Sequence, residues 1–239
     1  MPLVTANKVT LDFPIYGANT RSLKNRIIKS ATGGTLAKDS RTGVMVRALE
    51  NVSFEMHEGD RIGIIGHNGA GKSTLLRVLA GIYEVSDGSI NVKGRITSML
   101  SITLGMDMEA TGLEYIYVRG YILGVKKNVI KKMIDDIVDF SGIGDYLYLP
   151  IRTYSSGMIM RLAFAVSTAV QTDIVLMDEW LSVGDEEFMA KAKQRLKAMM
   201  EKSRIVVLAS HDLELIKDQS TKIFRLDHGL LSVLSKELI

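Results

Sequence analysis

The stretch Gly66-His67-Asn68-Gly69-Ala70-Gly71-Lys72-Ser73-Thr74 has the composition and spacing of a phosphate-binding loop. Its glycines admit backbone conformations closed to other residues, so successive N–H groups can converge on one concavity and hold phosphate oxygens. Lys72 would reach the outer phosphates and the Ser73 hydroxyl would ligate Mg²⁺, while His67 offers chiefly its main chain. A second group of residues completes a hydrolytic set. The apolar run Ile174-Val175-Leu176-Met177 ends in Asp178-Glu179, where Asp178 would hold Mg²⁺ through water and Glu179 would be free to polarise an attacking water. Alone, such an ending often marks only a strand reaching solvent; beside a phosphate loop it points to hydrolysis. His211 follows another apolar run and could hydrogen-bond the outer phosphate or the attacking water, although a lone histidine at a strand end is usually structural. Tyr154-Ser155-Ser156-Gly157-Met158 precedes a helical stretch and reads in two ways. It is either a second anion site on helix-terminal amides or a plain serine N-cap.

These groups need elements to hold them. Alternation through Val9, Leu11 and Phe13 predicts an opening strand, and Ala48 to Met56 predicts a second one ending at Glu58-Gly59-Asp60. A buried strand over Arg61–Ile65 then runs into the glycine-rich turn, with a helix from Lys72 and a hairpin turning at Asp87-Gly88. Val129, Ile130, Met133, Ile134, Ile137 and Val138 recur at helical period within a strand-poor region from Thr111 to Tyr148. Beyond it the pattern predicts a helix over 158–170, a buried strand over 173–180, a charged helix over 186–202 and a buried strand over 204–210. A final hairpin turns at Asp227-His228-Gly229. Alternating strand and helix at this spacing implies an α/β fold with a mainly parallel sheet.

Between the first two strands, about 18–43, the composition shifts to Ser, Thr, Gly and a run of basic residues, with Leu23, Ile27 and Ile28 on one helical face. This basic insert reads either as a solvated surface loop or as a contact for anionic lipid headgroups or a membrane partner. Bulk properties set outer limits. The 239 residues are 46% apolar, enough for a real core, and the net charge of +3 is too small to imply nucleic-acid binding. Cysteine is absent, which excludes disulfide and thiolate chemistry and suits a reducing compartment. No signal-like leader and no run of ~18 apolar residues is present, so the chain is expected neither to span nor to cross a membrane.

Taken in order, the phosphate loop, the helical stretch, Ser155-Ser156-Gly157, Asp178-Glu179 and His211 resemble the ABC ATPase family over the whole chain. That resemblance implies a P-loop NTPase core with a mainly parallel sheet, an N-terminal antiparallel β portion and a helical lobe at about 106–160, as one domain over 1–239. It implies ATP and Mg²⁺ as cofactors, with two subunits sandwiching ATP. Ser155, Ser156, Gly157 and Met158 of one copy would close on ATP held at Gly66–Thr74 of the other, Ser182, Gly184 and Asp185 would contact the partner copy, and Phe13 or Tyr16 would stack on adenine. Glu179 and His211 would serve hydrolysis.

Departures from the family pattern narrow the resemblance. Ser156 stands for a Gly and Met158 for a Gln in the signature, and Ser101 stands where the family carries a metal-contacting Gln. Serine is too short to reach Mg²⁺ in the same way. With the basic insert and Glu109-Ala110-Thr111-Gly112-Leu113-Glu114-Tyr115-Ile116, these features look like the subfamily exporting lipid-linked polysaccharides such as O-antigen, capsule and teichoic acid. Expected partners are therefore a membrane-spanning permease, a second copy of the chain and, through the permease, the glycan, with no nucleic acid. The expected location is peripheral, at the cytoplasmic face of the inner membrane. The extra C-terminal carbohydrate-binding domain of some members is not expected, because the chain reaches Ile239 just after the last hairpin. Competing readings are an importer, which should keep the Gln, a soluble ABC ATPase acting on DNA or ribosomes, and a P-loop kinase, which would leave 154–158 and His211 unexplained.

Overall fold

The computed structural model describes residues 3–14, 35–39, 43–178 and 186–234. In chain order the strands are β1 (Val4–Pro14), β2 (Thr35–Asp39), β3 (Gly43–Met56), β4 (Arg61–Ile65), β5 (Asp87–Val92), β6 (Ile96–Ser98), β7 (Ile174–Asp178), β8 (Ile205–Ala209), β9 (Lys222–Asp227) and β10 (Leu230–Leu234). The helices are α1 (Lys72–Leu79), α2 (Gly112–Ile122), α3 (Lys127–Ser141), α4 (Ser156–Ala169), α5 (Glu186–Lys202) and α6 (Leu213–Gln219). Two compact units emerge: Met1–Lys93 with Met177–Glu179 and Ile205–Ile239, and Gly94–Leu176 with Trp180–Arg204.

The first unit contains an antiparallel sheet in the order β2-β3-β1-β5 and a second group of strands, β10-β9-β4-β8. In that second group β4 pairs parallel with both β8 and β9, and β10 closes antiparallel on β9. Every residue of β8 is buried, as are Ile62 and Ile64 of β4, because parallel strands are covered on both faces and so read as continuous apolar runs. Helix α1 buries Leu75, Leu76, Val78 and Leu79, and that apolar face holds the helix, and the loop leading into it, in place. Across β1 and β3, Arg47 donates to both carboxylate oxygens of Asp12, at 2.9 and 3.1 Å, and to Glu50 at 3.1 Å. These bonds raise the guanidinium pKa further.

The second unit is mainly helical. Helix α2 opens on a reciprocal cap in which the Thr111 amide donates to Glu114 at 2.8 Å and the Glu114 amide donates to the Thr111 hydroxyl at 3.2 Å. Helix α3 ends at Gly142 and buries Ile130 and Ile137, leaving Val129 exposed. Phe140, Phe164 and Phe188 from α3, α4 and α5 form an aromatic cluster, and Arg195 lies over Phe140 at 4.3 Å while pairing with Asp136. Strand β6 runs parallel to β7 through Ile96↔Ile174.

Two expectations need correction. Asp87-Gly88 is not a hairpin turn but the start of β5, which pairs antiparallel with β1. Gly88 has φ +83 at a register shift between Asn7 and Thr10, where an added Cβ would sit 2.5 Å from the Asn7 carbonyl oxygen and 2.3 Å from that of Lys8. The glycine therefore permits close backbone approach at a bulge. Within the basic insert, Thr35–Asp39 is a strand paired with β3 from Thr35↔Arg47 to Asp39↔Gly43, not a loop. The helical face of Leu23, Ile27 and Ile28 lies outside the described residues, as do Tyr16, Glu179, Ser182, Gly184 and Asp185.

Candidate nucleotide site

The loop from Gly66 to Gly71 joins β4 to α1, and Gly66, Gly69 and Gly71 take φ values of +154°, +81° and +108°. Those values lie where a Cβ is disfavoured, so the glycines are what let the chain wrap into a cradle. Gly71 is the N-cap of α1 and no side chain caps that end, so the amides opening the helix have no side-chain acceptor and the positive end of the helix faces the loop. Asn68 and Gly69 are exposed on the loop surface, whereas Ala70 is buried, its amide bonded to the His67 carbonyl at 3.1 Å. Lys72 is only 7% exposed, and its ammonium donates to the carbonyls of Gly66 at 2.7 Å and His67 at 3.1 Å. Burial and two fixed acceptors hold its charge within the loop. Thr74 follows on α1, half-buried.

Asp178 ends β7, half-buried, and accepts a hydrogen bond from the Ser73 hydroxyl. Two side-chain oxygens from distant sequence positions thus meet at the start of α1, a pair of the type that suits a hard cation such as Mg²⁺. His211 lies exposed one residue past Ser210, beyond the end of β8, and Asp212 caps α6 by accepting from the Leu215 amide at 3.0 Å. Phe13 is half-buried with its ring edge-on to Tyr83, centroids 5.3 Å apart. Tyr83 escapes sequence reasoning because nothing local links it to a residue seventy positions earlier.

Comparison with known proteins settles the family. The family model described as ABC transporter matches residues 49–182, more than half of the chain. This chain belongs to the ABC transporter family. The O-antigen export system ATP-binding protein RfbE of Yersinia enterocolitica is 45% identical over 231 residues, covering 97% of this chain and 97% of that protein. The teichoic acids export ATP-binding protein TagH of Bacillus anthracis is 40% identical over 221 residues, covering 92% of this chain but only 38% of that longer protein. A solved dimer of the ATP-binding cassette MJ0796, in a post-hydrolysis state with ADP and Pi, shares the fold with a TM-score of 0.68 at 18% identity, covering 98% of each chain.

Further features belong to the second unit of this ABC chain. Ser155 is the N-cap of α4, its hydroxyl accepting from the Met158 amide at 3.2 Å, so the capping reading of this segment holds. Ser155 and Ser156 are nonetheless exposed, and space around Gly157 is open, with only the Ser155 hydroxyl within 4 Å of an added Cβ. Ser101 is exposed at the end of a short turn over Met99–Ser101. The next residue, Ile102, accepts a 2.7 Å hydrogen bond from the buried Tyr115 hydroxyl of α2.

Proposed function

We propose that this chain is the ATP-binding and ATP-hydrolysing subunit of an ABC transporter that exports a lipid-linked, O-antigen-like polysaccharide across the inner membrane. The similarity that carries the reading is 45% identity, end to end, with an O-antigen export ATP-binding protein. Gly66 to Thr74 cradle the phosphates and Lys72 turns its ammonium from its own loop carbonyls to the outer phosphates. Ser73 and Asp178 hold Mg²⁺, which offsets phosphate charge; their contact supports this assignment. Glu179 orients the attacking water, His211, just past the end of β8, serves hydrolysis with it, and Phe13 or Tyr16 stacks on adenine. Ser155, Ser156, Gly157 and Met158 present helix-terminal groups to ATP held by a second copy, so that binding closes a homodimer and hydrolysis reopens it.

The partner is a membrane-spanning permease. Val118, Tyr121 and Ile122 of α2, with Leu104 and Met108 before it, leave an apolar surface exposed in the second unit that suits such a partner. Among the described residues no helix is long and apolar enough to cross a membrane, which suits a peripheral subunit at the cytoplasmic face. A second reading, export of a teichoic-acid-like polymer, is favoured by the 40% identity to TagH. Cells lacking the gene, complemented with wild type or Lys72→Ala, test the proposal. Lipid-linked polysaccharide should accumulate inside and be rescued only by wild type, and normal surface glycan in the deletion strain would refute the substrate assignment.

A further inference from the structure

Beside the phosphate loop, the side chains of His67, Asp227 and His228 meet on the surface of the first unit, each offering one ligand atom and all three atoms lying within 4.8 Å of one another. His67 Nε2 is 3.3 Å from Asp227 Oδ1, and His228 Nδ1 is 2.7 Å from that same oxygen. The remaining nitrogen of His67, Nδ1, sits 2.8 Å from the Asn68 carbonyl oxygen. A carbonyl can only accept, so that contact puts a proton on Nδ1. Asp227 likewise accepts from the ring nitrogens of His228 and His67 that face it, which holds its carboxyl below the usual range. A metal ion would take the place of the protons between the rings and the carboxylate. The arrangement is the one metal-binding histidines use, with the far N–H donated to a main-chain carbonyl that fixes tautomer and ring direction.

The backbone beneath the cluster is stitched in place. The Gly229 amide donates to the Ala70 carbonyl at 3.1 Å, and the Glu50 amide donates to the Gly229 carbonyl at 2.9 Å, which ties the β9–β10 turn to the loop carrying His67. Four-coordinate Zn²⁺ with ligands at about 2.0–2.2 Å needs donor atoms about 3.4 Å apart, so exposed side chains must shift by less than about an ångström and a half. Two imidazoles and one carboxylate are a borderline-soft set, better suited to Zn²⁺ or Co²⁺ than to Mg²⁺, which prefers an all-oxygen shell.

We propose that His67, Asp227 and His228 form a binding site for a divalent transition metal of the Zn²⁺ type, separate from the Mg²⁺ ligands Ser73 and Asp178, with one coordination position open to water. Untagged, chelator-stripped protein without nucleotide is titrated with Co²⁺, whose visible absorption reports its ligands, and then challenged with Zn²⁺ and with Mg²⁺. One Co²⁺ should bind per chain and be displaced by Zn²⁺ but not by excess Mg²⁺. Asp227→Asn and His228→Asn should each weaken binding by at least about tenfold. Asparagine tolerates the left-handed φ of +50° at position 228, and matching melting curves of the metal-free proteins control for folding. Absence of saturable binding overturns the proposal. So does displacement by Mg²⁺, or undiminished binding in both variants, which would move the ion to other residues.

Discussion

Tyr115→Phe removes one oxygen from the interior and tests what ties the turn after β6 to α2. Tyr115 is fully buried, its hydroxyl donates to the Ile102 carbonyl at 2.7 Å, and burial pushes the phenol pKa up to about 12, so it stays a neutral donor. Phenylalanine keeps the ring and opens no cavity beyond the lost oxygen, so the cost is that of a buried carbonyl deprived of its donor, about 1–3 kcal/mol. For a chain of this size each kcal/mol moves the melting midpoint by about 2–4 °C, and a loss near 2 kcal/mol therefore lowers it by about 4–8 °C. Tyr115→Ala should cost more, about 3–5 kcal/mol, because the ring goes as well. The local readout is amide exchange at Leu104 and Met106, which donate to Ser101 at 3.1 Å and Thr103 at 3.0 Å; both should exchange faster in Tyr115→Phe. A midpoint within about 1 °C of wild type, with unchanged exchange at both amides, would refute the reasoning.

Two further outcomes are expected. A charge pair at about 4 Å with an effective dielectric near 20 is worth about 4 kcal/mol, so Lys72→Ala should slow phosphate release from ATP by about a thousandfold, and a loss under about tenfold would remove Lys72 from the site. Glu114 is held below its ordinary pKa of 4.5 by the Thr111 amide first and the Thr111 hydroxyl second. A depressed folded pKa means its contribution is present above the unfolded value and lost as pH falls through the lowered folded value. Glu114→Gln keeps a capping side chain without titrating, so its melting midpoint should fall less steeply than wild type on acidification, and parallel curves would show that another carboxylate governs the acid limb.

What could be read beforehand follows from burial. Strands β4, β7 and β8 are legible because each is covered on both faces, and the phosphate loop is legible because its glycines and Lys72 lie in one local run. Strand β2 is hidden because Thr-Leu-Ala-Lys-Asp has no apolar run to announce it and owes its form to pairing with β3. Gly88 misleads because a positive φ serves a bulge as readily as a turn. Ser73 and Asp178 could be assigned to one ion from their motifs, whereas Phe13 with Tyr83, and His67 with Asp227 and His228, join residues that only the fold brings together.

The two carbonyl bonds made by Lys72 bear on how quickly the loop can exchange its contents. A buried ammonium without acceptors would be driven toward solvent. With Gly66 and His67 as acceptors the cation stays at its station, braced from within. If the loop holds ATP as proposed, arrival of a phosphate requires a swap of oxygen partners by a single side chain rather than a refolding of the loop. On that reading the loop would be ready to bind at the start of every cycle.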